Sequence, residues 1–156
     1  MRSLLLTLPF LLGVTSALAQ SQSPSEPWDV LDQKGAHYAG TIDAMKNIVE
    51  FVCPVSAPPQ LIVISPQFRV SMPDGHRYTL RFVTDKGRTE LVATAKDAEL
   101  IVSADDLNAQ ITLQRLMDDI AASGSFTVAT ANFGWQARFT GENAAIALKG
   151  VRDACF

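Results

Sequence analysis

The residues of this 156-residue chain that could do chemistry are few and far apart. Cys53 and Cys155 can form a disulfide or carry a reactive thiolate. His37 and His76 can exchange protons or bind a metal. The pairs Asp105–Asp106 and Asp118–Asp119 offer carboxylate oxygens, and Ser125 offers a hydroxyl. Phe133, Trp135 and Arg138 together could form an aromatic binding edge with one cation. Each chemistry makes demands on spacing. A redox thiol works in a tight pair such as Cys-x-x-Cys, which is absent. A metal site needs several ligands close together, and neither histidine has them in its neighbourhood. A calcium loop needs a glycine turn and a distal glutamate, which neither Asp pair has. Ser125 lies in Ser123-Gly124-Ser125-Phe126 rather than in a Gly-x-Ser-x-Gly elbow. No phosphate loop or dinucleotide fingerprint occurs. The expectation is a chain with no catalytic residue, no metal and no cofactor. Asp105–Asp106 reads as the opening of a helical turn, where negative charge suits the helix dipole. Asp118–Asp119 reads as a solvated helix face. Trp135 alternates with Ala137 and Phe139, which is a core pattern as well as a candidate binding edge.

The cysteines take their meaning from the N-terminus. Arg2 precedes an apolar run from Leu4 to Val14, and Ala17-Leu18-Ala19 places small residues before Gln20. That is the three-part pattern of a secretory signal peptide, expected over residues 1–19. The run is too short to span a bilayer, which takes roughly 20 apolar residues, and no later segment approaches that length. No integral membrane segment is expected after cleavage. An exported chain meets an oxidising compartment, where two cysteines read as one disulfide between Cys53 and Cys155. A bond closing so large a loop is worth roughly 2–4 kcal/mol. The charge balance is mildly acidic, with 13 Lys+Arg against 16 Asp+Glu, and the bases are scattered. This excludes the basic stripe of a nucleic-acid or anionic-lipid binder.

These residues must be positioned by elements legible in the pattern. Residues 20–27 (QSQSPSEP) hold no large apolar side chain and are expected to be a disordered leader. Residues 28–156 then form a single domain. Alternation predicts strands through His37–Asp43, Ile48–Cys53, Leu61–Ile64, Phe68–Met72, Tyr78–Val83, Glu90–Ala95 and Glu99–Val102, with turns at Pro73-Asp74-Gly75 and Asp85-Lys86-Gly87-Arg88. Leu113, Leu116, Met117, Ile120 and Ala121 shift to helical spacing, closed at Gly124. A hairpin follows, with Phe126, Val128 and Thr130 on one strand and Trp135, Ala137 and Phe139 on the other. A last helix starts near Asn143 and lines Ala144, Ala147, Leu148, Val151 and Cys155 along one face. The fold class is α+β and β-rich: an antiparallel sandwich or strongly bent sheet, with one internal helix and a C-terminal helix docked on it.

The order of these features resembles a known group. Trp28 stands near the mature start, a strand runs into Cys53 (FVC), and LRFVTD around Arg81 and Asp85 precedes the amphipathic LQRLMDDI. The chain closes with Ala137-Arg-Phe-Thr-Gly, Ala144-Ala-Ile, Leu148, Val151-Arg152 and Ala154-Cys155-Phe156. The series is similar to the small proteobacterial periplasmic proteins typified by TagO/VasI, which accompany type VI secretion systems. It is more distantly similar to invasion-associated locus B proteins. Phe156 stands where that ending has a tryptophan, and the Gly-Leu step before the helix is missing. The resemblance implies a periplasmic (or secreted) β-rich domain with the two cysteines paired and no catalytic residues. It implies a non-catalytic accessory or protein-binding role toward another envelope or secretion-system protein. The alternative from a different class is a small envelope hydrolase, or an inhibitor of one.

Overall fold

Alternating side chains dominate the chain, and among the described residues they fold into one nine-stranded sheet with every neighbouring pair antiparallel. A computed structural model describes residues 25–33 and 35–156. The signal segment 1–19 and the first part of the expected leader lie outside the described residues. The strands are β1 (Asp29–Gln33), β2 (Ala36–Ile42), β3 (Ile48–Cys53), β4 (Gln60–Ile64), β5 (Arg77–Thr84), β6 (Gly87–Lys96), β7 (Glu99–Ser103), β8 (Ser125–Thr130) and β9 (Gln136–Thr140). The helices are α1 (Phe68–Ser71), α2 (Leu107–Ala121) and α3 (Ala144–Cys155). Strand order is β1-β2-β3-β4-β7-β6-β5-β8-β9. The α+β, β-rich class expected from the sequence is what forms.

The inward rows interlock. Phe51, Leu61 and Val102 lie side by side in register, as do Val49, Val63 and Leu100. Phe82 stands opposite Val128, and Phe126 opposite Phe139. All are buried, together with Leu113, Leu116, Met117 and Ile120 of α2 and Ala144, Ala147, Leu148 and Val151 of α3. Helical spacing thus supplies the apolar stripes that share one core with the inward side of the sheet. Asp106 caps α2, its side chain accepting from the Ala109 N–H, as expected for that Asp pair. Cys53 and Cys155 are disulfide-bonded with Cα atoms 5.6 Å apart, fixing the last turn of α3 to the end of β3.

Three local expectations are corrected. Residues 68–72 are not an alternating strand but the single turn α1, in which the Met72 N–H donates to the Phe68 carbonyl. Period two would bury Phe68, Val70 and Met72 together, yet Val70 is 89% exposed while the other two are buried. The i,i+4 pair wins because both large side chains then reach the core. Secondly, α2 ends at Ala121 with Ala122 as its C-cap, and is not closed by Gly124. The Ser123 hydroxyl donates to the Asp119 carbonyl and the Ser123 N–H to that of Ile120, so the orphan acceptors need no left-handed glycine. Thirdly, β1 gave no strand signal, because Val30 and Leu31 are both largely exposed and no alternation results.

The sheet is hinged at one place and clasped at another. Between β6 and β7 only three residue pairs form, Thr94↔Ile101, Ala95↔Leu100 and Lys96↔Glu99. The five strands on one side and the four on the other therefore diverge. Residues 25–28, partly within the expected leader, link the far ends. Glu26 bonds β2 through the Ile42 carbonyl and the Thr41 hydroxyl. Ser25 Oγ accepts from the Thr140 N–H, and Trp28 donates from its backbone to Glu142 O and from its indole to Thr140 O, both at 2.9 Å. Gly141 makes the close approach beneath: a Cβ there would overlap the Ser123 carbonyl.

Candidate functional site

The residues singled out in the sequence do not meet. His37 Nδ1 lies 2.7 Å from Asp32 Oδ1 on the β1–β2 hairpin. Ser125 is on β8, where its hydroxyl accepts from Arg138. Among the described residues no hydrogen bond links Ser125 to that pair, so the histidine, carboxylate and serine of the hydrolase alternative are not assembled. His76 is exposed in the turn before β5. Asp118 pairs with Arg152 and so joins α2 to α3. The proposed edge of Phe133, Trp135 and Arg138 divides. Trp135 is 3% exposed and packs edge-on against Phe68, with centroids 5.0 Å apart, and Phe133 flanks the same ring. Arg138 faces solvent from the other side of β9. Strand alternation is the reason: residues an odd number apart point to opposite faces. Trp135 is core, and its indole N–H donates to buried Asn47, which is itself held by Asp43.

A different set is brought together where the sheet divides. The outward faces of β4, β7, β6 and β5 line a groove of about 570 Å³. Gln60 and Ser103 stand opposite each other, as do Ile101 and Thr94, and Thr94 and Arg77. Lys96 is two residues along β6 from Thr94 and so projects from the same face. Arg77 and Lys96 are then diagonal neighbours, within reach of one another's long side chains. Neither forms an ion pair or a side-chain hydrogen bond among the described residues. Asp105 is the single carboxylate on the lining. The groove therefore sets two cations against one lining carboxylate, with Glu99 opposite Lys96 at its edge, on a protein of net charge −3. Around the cations stand neutral partners, the Gln60 amide and the Thr94 and Ser103 hydroxyls, with Val92 and Ile101 as apolar floor. Such a lining suits an anionic group carried on a partly apolar body.

The sheet beside it carries the opposite charge. Over β1, β2 and β3 a second groove of about 310 Å³ is lined by Glu26, Asp29 and Glu50 among Leu31, Tyr38 and Ile48. The Glu50 carboxyl is held above its ordinary range, first by burial and then by the charge of Glu99. Glu99 is likewise raised by burial and by Asp97, while Lys96 opposes the shift.

Neither a family model, a curated protein nor a solved structure matches the chain. Function has to be read from this geometry. Sequence reasoning missed Arg77 and Lys96 because they are far apart along the chain. The signal was nonetheless present: counting back from the Asp85–Lys86 turn pairs Thr84 with Gly87 and hence Arg77 with Thr94.

Proposed function

We propose that the chain is a non-catalytic, protein-binding accessory domain of the bacterial envelope. It is exported to the periplasm by residues 1–19 and engages another envelope protein through the groove between β6 and β7. One observation carries this reading: Arg77 and Lys96 are diagonal neighbours on an open groove, where among the described residues Arg77 has no ion-pair partner and Lys96 faces only Glu99 across the ladder. Like charges held together cost free energy that an incoming anionic group relieves. The Cys53–Cys155 pair at disulfide distance supports an oxidising compartment. Among the described residues no helix is long and apolar enough to cross a membrane. The similarity to the TagO/VasI-like periplasmic proteins supports the same compartment and a secretion-associated setting.

Site-specific photocrosslinking in living cells tests the proposal. A benzophenone side chain at Thr94 is expected to trap a defined protein adduct, and one at Arg138 is not. The adduct should disappear when Arg77 and Lys96 are both replaced by Glu. Equal labelling from both positions, or an adduct indifferent to the charge reversal, would show that the groove is not the contact. N-terminal sequencing of the native protein should begin at Gln20. A retained Met1 segment would remove the periplasmic assignment.

A further inference from the structure

The groove has a second property besides charge, which lies in its backbone. In an antiparallel ladder the N–H and C=O of one residue point to the same side, and alternate residues point to opposite sides. Ala95 accepts from Gly75 and donates to His76, so its backbone groups face the β5 side. Thr94 and Lys96 consequently face β7, and so do Val92, Glu90 and Arg88. The β6–β7 register would continue Thr94↔Ile101 to Val92 opposite Ser103, but pairing stops at Thr94. Beyond it the chain leaves β7 at Ser103 and turns into α2 through Asp105 and Asp106. Among the described residues the backbone groups of Arg88 and Glu90 have no hydrogen-bond partner on that side. Arg88, Glu90 and Val92 are all exposed, Val92 to 50%. This is an open strand edge inside a sheet rather than at its end, and it borders the groove that Val92, Ser103 and Asp105 line.

From this juxtaposition we infer that the groove binds an extended segment of a partner protein, which adds as a strand to the edge of β6 at Arg88–Val92 and places an acidic side chain against Arg77 and Lys96. The inference rests on the reading of the groove as a protein-binding surface and names its occupant. Strand addition satisfies the open N–H and C=O groups and so supplies affinity without sequence selectivity. Selectivity comes from the side-chain lining. The gap closes at Thr94↔Ile101, so the added strand has to end or lift off there. At that point it lies over the row Arg77–Thr94–Ile101, where Arg77 stands, with Lys96 two residues further along β6 on the same face. A carboxylate is the side-chain group that matches them.

The test uses the purified protein and a random peptide library displayed on phage, counter-selected on the Arg77→Glu, Lys96→Glu double variant. Enriched sequences are expected to alternate apolar and polar residues and to carry Asp or Glu. A synthetic copy should slow amide hydrogen exchange at Arg88, Glu90 and Val92. Its affinity should fall about tenfold on Arg77→Glu, the scale of one charge-assisted contact. N-methylating alternate backbone nitrogens of the peptide should abolish binding. Val92→Pro should do the same with little change in melting temperature, since the Val92 N–H points into the gap and edge prolines are tolerated. Should that variant not fold, the N-methylated peptides decide. If they bind as well as the parent while Arg77→Glu still weakens binding, strand addition is wrong and the groove remains a binding surface. If no sequence is enriched, or charge reversal has no effect, both readings fail. Concentration-dependent dimerisation abolished by Val92→Pro would assign the edge to a second copy of this chain and overturn the proposal.

Discussion

Glu50 is at odds with its surroundings. It sits on the outward row of β3 between Gly40 and Ile62, half-buried, with Glu99 adding like charge. Its carboxyl is held above the ordinary value of 4.5. Between that value and the raised one the folded chain binds more protons than the unfolded chain. Stability is then complete below the unfolded pKa and is lost as pH rises through the folded one. Glu50→Gln removes the loss, so calorimetry should show a higher melting temperature at about pH 7.5 and little change at about pH 4. Gly141 is constrained by sterics instead. Gly141→Ala drives a Cβ into the Ser123 carbonyl, and the backbone shift is expected to cost on the order of 1–3 kcal/mol in urea denaturation. The glycine itself was visible in the sequence. Its close neighbour was not, because the contact joins the end of β9 to the end of α2.

At the scale of elements, α3 is held in three ways: by its apolar stripe, by Arg152 to Asp118 of α2, and by the Cys155 bond to β3. Leu148 is fully buried, and Leu148→Ala should cost about 2–5 kcal/mol. Removing the disulfide by Cys53→Ser with Cys155→Ser should cost roughly 2–4 kcal/mol. Both changes loosen the same helix, so the triple variant is expected to depart from the sum of the two. Urea midpoints of the three variants check this. The amphipathic period fixed α2 and α3 in advance, because fifteen and twelve residues give the pattern room to repeat. The four residues of α1 do not. There the choice between strand and turn was made by which spacing let Phe68 and Met72 reach the core together.

The whole molecule depends on a clasp that covers little sequence. Trp28 packs against Phe51 of β3 and Phe126 of β8, with centroids 6.1 and 6.0 Å away. Its two N–H groups reach Glu142 and Thr140, so it ties both wings of the sheet. Trp28→Ala should cost about 3–5 kcal/mol. Amide exchange is expected to speed up first in β9 and β2, the strands the clasp joins. Uniform acceleration across all strands would mean that Trp28 contributes only core volume. The same division of the sheet that needs this clasp leaves the β6–β7 side open, and Arg77 and Lys96 line it.

What the sequence by itself determined is what local physics can encode. Period two and period 3.6 set the strands and the long helices. The two cysteines, read with the export pattern, set a bond between β3 and α3. The mildly acidic, scattered charge ruled out a basic stripe along the chain. Only the tertiary structure decided where the sheet parts, which ends are clasped, and which outward side chains share a surface. Those depend on pairing register between strands distant in sequence. Register is fixed by the joint packing of every inward row and cannot be seen from any one segment. Arg77 and Lys96 became neighbours, and the Trp135 edge dissolved into the core, for that one reason.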